Sequence, residues 1–162
     1  MKVLVIYDSV FGNTEKIAQA IGAALVSLGS VGVIRVSDVQ PGQMDGVGLM
    51  LVGSPTRGFR PTDAIKNFLL NLPADKLAGV KVAAFDTRIP TGNIKSPILR
   101  TFVKWGGYAD KPIAEAMVKH GGSLLLPPEG FFVKDSEGPL VEGELERAST
   151  WARQAAEASG LK

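Results

Sequence analysis

The sequence contains no cysteine. Disulfides, thiolate metal sites, iron–sulfur clusters and a cysteine nucleophile are therefore excluded together. One histidine is present, His120. That leaves no set of imidazoles for a metal, and a Ser-His-Asp triad would have to rest on that single residue. Any redox centre used by this chain must be borrowed. No apolar run reaches the roughly 20 residues of a membrane span. The opening stretch, residues 1–8, is too short in its apolar part for a signal peptide, and no small-residue cleavage site follows it. It is expected to form a first strand, and the protein to be cytoplasmic with no membrane role. The net charge of +2 is too small to point to nucleic acid.

What is present is an ordinary globular composition in 162 residues. That length suits one domain, residues 1–162, with one sizeable core. The charge is unevenly placed. Between positions 57 and 104, basic residues such as Arg57, Arg60, Arg88 and Arg100 outnumber the acids Asp63, Asp75 and Asp86. From Glu129 to Glu146 the balance reverses. Two solvated faces would explain this, and so would a basic surface facing an anion.

Val3-Leu4-Val5-Ile6 and Leu49-Met50-Leu51-Val52 are continuous apolar runs, as strands buried on both faces show. Residues 31–36, 80–85 and 123–126 read as further strands. The last is interrupted by Pro127-Pro128 and continued by Phe131-Phe132-Val133. Helical spacing covers 14–28, ended by Gly29, then 61–72 and 112–119. His120 follows the third of these, where a cation suits the helix dipole. A last helix over 143–159 is expected to place Leu145, Ala148, Trp151, Ala152 and Ala155 inward. Residues 88–108 are ambiguous, with a short helix expected around 98–103.

Strands alternating with helices predict an α/β fold, a doubly wound parallel sheet covered by helices on both faces. Ligands of such sheets sit beyond the carboxyl ends of the strands, where strand order reverses. The loops to search are therefore 8–14, 53–60 and 86–91. The first combines two hydroxyls, an amide and Gly12 at the start of a helix, whose dipole places about half a positive charge there. Backbone amides and hydroxyls then form a phosphate cradle that needs no lysine. No Gly-Lys-Ser/Thr ending and no Gly-x-Gly-x-x-Gly are present, which favours a terminal monophosphate. The plainer reading is that Ser9 and Thr14 only cap the helix.

Tyr7-Asp8-Ser9-Val10-Phe11-Gly12-Asn13-Thr14-Glu15-Lys16-Ile17-Ala18 resembles the phosphate-loop signature of the flavodoxins. Gly53-Ser54-Pro55-Thr56-Arg57-Gly58-Phe59-Arg60-Pro61 resembles their second loop, and it stands in the right place, after strand three. The resemblance covers essentially the whole chain. It implies a flavodoxin-like five-stranded sheet in the order 2-1-3-4-5, non-covalent flavin mononucleotide (FMN), and electron transfer between redox partner proteins. It implies cofactor-binding roles for Ser9, Val10, Phe11, Gly12, Asn13 and Thr14. In the second loop it implies the same for Ser54, Pro55, Thr56, Arg57, Gly58 and Phe59. In the third, Asp86, Thr87, Arg88 and Ile89 would meet the pyrimidine edge. Ser54 and Thr56 would hydrogen-bond the ribityl chain or phosphate. Gly58 would carry a peptide able to turn over beneath the flavin, at low steric cost. Phe59 would pack on the ring or at the core edge.

The chain departs from the family pattern in two ways. The third loop has no tyrosine or tryptophan to stack on the flavin. Ile89, Trp105 or Tyr108 would have to cover the ring, although Trp105 fits a core role better. Family carriers are strongly acidic, whereas this chain is mildly basic around the flavin loops. That predicts acidic docking surfaces on the partners, or an anionic ligand. Arg88 would bring a cation to the flavin's N1–O2 edge and raise its potential, or it would pair with Asp86 or lie exposed. The alternative function is an FMN-dependent reductase of quinones or similar acceptors using a nicotinamide donor. A third is a binding module on this fold without redox use of FMN.

Overall fold

The computed structural model describes residues 1–98, 100–101 and 107–160. One sheet contains β1 (Lys2–Tyr7), β2 (Ser30–Arg35), β3 (Val47–Pro55), β4 (Lys81–Arg88), β5 (Ser123–Leu124) and β6 (Glu129–Phe132). Its pairings are parallel. The order is β2-β1-β3-β4-β5, with β6 also on β4. β5 pairs with Lys81 and Val82, and β6 with Phe85 through Arg88. The two are pieces of one fifth position. Pro127 and Pro128 separate them because proline has no N–H for the ladder. The expected sheet, order 2-1-3-4-5, is thus the one observed.

Successive strand side chains point to opposite faces, which is why the runs in β1 and β3 are apolar throughout. Val3, Val5, Leu49, Leu51, Ala83 and Phe85 face one side. There they meet Ile17, Ile21 and Leu25 of α1 (Asn13–Leu25), with Ala148, Trp151 and Ala152 of α4 (Glu144–Ala158). Leu4, Ile6, Met50, Val52, Val82 and Ala84 face the other. They meet Ile65 and Leu69 of α2 (Asp63–Leu70), with Ile113, Ala114 and Met117 of α3 (Asp110–Lys119). Phe131 belongs to the first layer, edge-on to Phe85 and Trp151 with centroids 6.3 and 6.0 Å away. His120 ends α3, its Nδ1 3.2 Å from the Pro73 carbonyl.

Three expectations change. Leu145 is 42% exposed rather than inward. The inner position of that first turn is taken by Glu144, whose carboxylate accepts the Phe132 amide at 2.7 Å and pairs with Arg147. β3 runs on through Pro55 and β4 through Arg88, so Ser54, Asp86, Thr87 and Arg88 are strand residues rather than loop residues. The helix expected around 98–103 falls partly outside the described residues, and Trp105 lies outside them entirely. Among the described residues, no helix is long and apolar enough to cross a membrane.

Candidate functional site

The strand order reverses between β1 and β3: the chain leaves β1 for β2 on one side and returns to β3 on the other. Beyond their carboxyl ends lies a cavity of about 370 Å³, within the range of small-molecule sites. Ser9, Val10, Phe11, Asn13 and Thr14 line it from the first loop. Pro55, Thr56, Arg57 and Gly58 line it from the second, and Thr87, Arg88 and Ile89 from the third. The sequence-predicted residues Gly12, Ser54, Phe59 and Asp86 do not line it.

Gly12 stands before α1 with φ 89°, a left-handed conformation that favours glycine. It turns the chain so that its own amide and that of Glu15 donate to Ser9 Oγ, at 3.1 and 3.3 Å. A serine hydroxyl has two acceptor lone pairs and one donor. Both lone pairs are engaged here, so the hydroxyl proton remains for the cavity. Among the described residues, the amides of Val10, Phe11, Asn13 and Thr14 have no acceptor. Thr14 Oγ1 and Thr87 Oγ1 lie 2.7 Å apart in a buried pair. One of them donates to the other, which leaves one further hydroxyl proton. The result is a cradle of hydrogen-bond donors at a helix N-terminus, the chemistry of an anion site. The capping reading is too small for it: Ser9 closes the loop on itself and still faces the cavity.

Arg35, which sequence reasoning missed, holds this loop from below. Its Nη1 donates to Asp8 Oδ1 at 3.2 Å and to the Ser9 carbonyl at 2.8 Å. Asp8 Oδ1 also accepts the Ser9 amide at 2.9 Å. The available signal was a basic residue ending strand two, paired in register with Tyr7 beside the loop.

In the second loop the amides of Arg57 and Arg60 each bond the other's carbonyl, at 2.8 and 3.2 Å. Gly58 at φ 53° and Phe59 at φ 68° fill the turn between them. Two positive φ values mark a type I′ turn. Gly58 takes this conformation freely, whereas an aromatic residue is strained there. Ser54 is a correction: its hydroxyl donates to the Pro55 carbonyl and accepts the Thr62 amide, both at 2.9 Å, away from the cavity. Thr56 Oγ1 donates to Asp86 Oδ2 at 3.2 Å and accepts the Ala109 amide at 3.0 Å.

Asp86 is fully buried beneath the cavity. Arg88 donates to it from Nε at 2.7 Å and Nη2 at 2.8 Å, and Asp110 donates its amide at 3.1 Å. Arg88 Nη2 also lies 2.8 Å from Asp110 Oδ2. The guanidinium sits 3.7 Å from the Tyr108 ring centroid, and the Tyr108 hydroxyl meets Thr91 Oγ1. Of the roles weighed for Arg88, the ion pair is the one formed. Facing two carboxylates, it brings no net positive charge to the cavity.

Burial pushes the Asp86 carboxyl up to about 6; Asp110 adds to the rise and Arg88 opposes it. Unfolded, an aspartate titrates at about 3.9. The folded state therefore binds this proton more tightly. The contribution favours folding below about pH 4 and is lost as pH rises through about 6. An Asp86→Asn variant lacks that dependence. Its stability relative to the parent should improve by up to about 3 kcal/mol between about pH 4 and about pH 7, read from urea midpoints. Parallel curves would show that Asp86 stays ionised throughout.

A fourth wall had no counterpart in the sequence reading. Val133 and Ser136 line the cavity from the segment after β6. Asn13 Nδ2 donates to the Glu137 carbonyl at 3.1 Å, and Gly138 at φ 104° lies against the Asn13 amide. A Cβ on Gly138 would fall 2.6 Å from Asn13 Oδ1. The signal was the turn-forming run Asp135-Ser136-Glu137-Gly138-Pro139. Among the described residues, no group of three or more His, Cys, Asp or Glu is placed to hold a metal.

Residues 5–151 match the sequence model of the family described as Flavodoxin. No curated protein matches the chain. Among solved structures, a flavodoxin from the domain Archaea is similar at 25% identity, with a TM-score of 0.78 and 99% of both chains covered. Oxidised flavodoxin 2 from Bacillus cereus has 23% identity and a TM-score of 0.73, over 97% of this chain and 99% of that one. Rubredoxin:oxygen oxidoreductase from Desulfovibrio gigas has 22% identity and a TM-score of 0.74, over 98% of this chain and 36% of that one. The last two show the fold. By sequence model, sheet order and cavity position, the chain belongs to the flavodoxin family, whose proteins bind FMN and transfer electrons.

Proposed function

We propose that this chain is an electron carrier that holds FMN in the cavity between its three loops and exchanges electrons with partner proteins. The observation that carries this reading is the donor cradle of Ser9 to Thr14 opening into a 370 Å³ space at the strand-order reversal. The donor set suits a terminal phosphate. Ile89, just past the end of β4, suits the other end of the ligand. Bound FMN supplies the redox chemistry, and the chain supplies binding, orientation and charge. Residues 1–162 work as one unit in this reading. Family membership implies redox partner proteins. Exposed Arg57 and Arg60 beside the cavity favour partners with acidic docking surfaces.

The first test is addition of FMN to the purified chain. Uptake should quench the flavin's fluorescence, and reduction in small steps should pass through a spectrum distinct from both end states. A chain that takes up no FMN sinks the reading, and a direct two-electron bleach sinks the carrier role. The same exposed arginines support a second reading, a reductase fed by a nicotinamide donor. Rapid bleaching of the bound flavin by NADPH alone would establish it, and no reaction would exclude it.

A further inference from the structure

We infer that Arg35 is a positioning residue for the phosphate end of the cavity: by holding the Ser9 carbonyl, it turns the Val10 amide toward the ligand. The inference rests on the flavin reading above and goes beyond it. The cradle binds through uncharged donors, so its strength depends on how those donors are aimed. A backbone amide is aimed by its peptide plane. In a trans peptide the carbonyl and the N–H point in opposite directions, and the Ser9–Val10 peptide is trans. Whatever holds the Ser9 carbonyl therefore sets the direction of the Val10 N–H.

Arg35 is what holds it. Nη1 donates to the Ser9 carbonyl at 2.8 Å and to Asp8 Oδ1 at 3.2 Å. Val10 lines the cavity, whereas Arg35 does not. The carbonyl is thus drawn away from the cavity. The Val10 N–H, which has no acceptor among the described residues, is left for the ligand. Ser9 has little freedom to undo this. Its amide donates to Asp8 Oδ1 at 2.9 Å, and its hydroxyl accepts the Gly12 and Glu15 amides. Arg35 is itself fixed. It ends β2 in register with Tyr7, and its guanidinium lies 5.5 Å from the Tyr7 ring centroid. Its Nη2 stands 3.7 Å from Glu15 Oε2, and the Tyr7 hydroxyl donates to Glu15 Oε1 at 3.0 Å.

An ion pair alone does not explain the arrangement. Asp8 and Glu15 together outweigh the charge of Arg35, so the group brings no net positive charge to the phosphate. Yet the shortest of these Arg35 contacts is with the carbonyl, not with a carboxylate. A charged donor on a carbonyl also polarises the peptide and strengthens its N–H. Arg35 thereby acts on the phosphate without touching it.

The test uses parent, Arg35→Met and Arg35→Lys chains. FMN affinity is read by flavin fluorescence, and the backbone amide resonances of Val10 and Ile89 are followed at saturation. Ile89 lines the cavity from the third loop, and its amide is the control. In the parent, FMN should move the Val10 amide proton strongly downfield, as a hydrogen bond to a charged oxygen does. Arg35→Met should bind FMN about tenfold more weakly. It should also lose most of the Val10 shift while keeping the Ile89 shift. Arg35→Lys should recover part of both, because one ammonium can serve the two oxygens that Nη1 serves. The ratio of parent to variant affinity should survive added salt, since an aimed dipole sets it rather than a net charge. Melting curves show which variants fold. Were Arg35→Met not to fold, Arg35→Lys carries the same comparison, with a loss of about threefold. An unchanged FMN affinity would overturn the inference, and so would equal Val10 shifts in parent and variant. Equal losses at Val10 and Ile89 would make the role purely structural, and a ratio that vanishes with salt would make it a long-range charge. Either result overturns the inference and leaves the flavin reading standing. A parent that binds no FMN would overturn both.

Discussion

Replacing Arg88 with methionine should destabilise the protein by about 3–5 kcal/mol, the cost of stranding buried charge. The guanidinium side chain is 15% exposed, and it separates a fully buried Asp86 from an Asp110 side chain that is 13% exposed. Without it, two carboxylates face each other across a site with little water. The Asp110 and Thr56 donors to Asp86 remain, but neither carries charge. The ring of Tyr108 also loses the cation against which it packs. Urea denaturation at neutral pH measures the loss. It should shrink near pH 5, because a carboxyl already pushed up to about 6 takes up a proton more readily once its cation is gone. A loss below about 1 kcal/mol at neutral pH would mean that the cluster is solvated and behaves as a surface pair. Methionine suits the test because it fills most of the same volume, so the effect reports charge rather than a cavity.

Ser9→Ala should weaken FMN binding roughly 30-fold, about 2 kcal/mol, with a much smaller effect on folding. The hydroxyl accepts the Gly12 and Glu15 amides and keeps its proton for the cavity. Its removal deletes one donor to a charged oxygen, which is worth about 1.5–3 kcal/mol. It also releases the turn that sets Gly12 and aims the amides of Val10 and Phe11. Fluorescence titration of the parent and variant chains with FMN gives the ratio. An unchanged affinity would show that the loop closes without this hydroxyl and that its proton does not face the ligand. Ser9→Thr, which keeps the hydroxyl, should restore most of the binding.

These two residues mark what was readable in the chain and what was not. Ser9, Gly12 and Thr14 sit in contiguous sequence between an apolar strand and an amphipathic helix. Local chemistry alone therefore pointed to a phosphate cradle. Arg88 had several open roles, because its partners are Asp86, two residues before it, and Asp110, far along the chain. Choosing among them required knowing that the start of α3 lies beside the end of β4. Ser54 shows the same dependence in reverse. Its position after strand three suggested a ligand contact, but β3 extends past it, and its hydroxyl turns to Thr62. Leu145 followed helical spacing correctly and is still exposed, because the Phe132 amide draws Glu144 into the inner position.

The layers and the position of the cavity followed from the pattern of the chain, and the sheet order from its resemblance to the flavodoxins. Continuous apolar strands require cover on both faces, and alternation with helices makes them parallel. Parallel strands with right-handed crossovers place a crevice where the order reverses. The cradle was legible for the same reason, since a strand, a glycine turn and a helix start are all local. Pairings between distant segments were not local. Arg35 beneath the first loop, the wall at Val133 and Ser136, and the capture of Arg88 by two carboxylates each join residues remote in sequence. Charge in the cavity depends on those pairings. They leave Arg57 beside the phosphate loop without a carboxylate partner among the described residues, because Arg35 and Arg88 found carboxylates and Arg57 met the ring of Phe11.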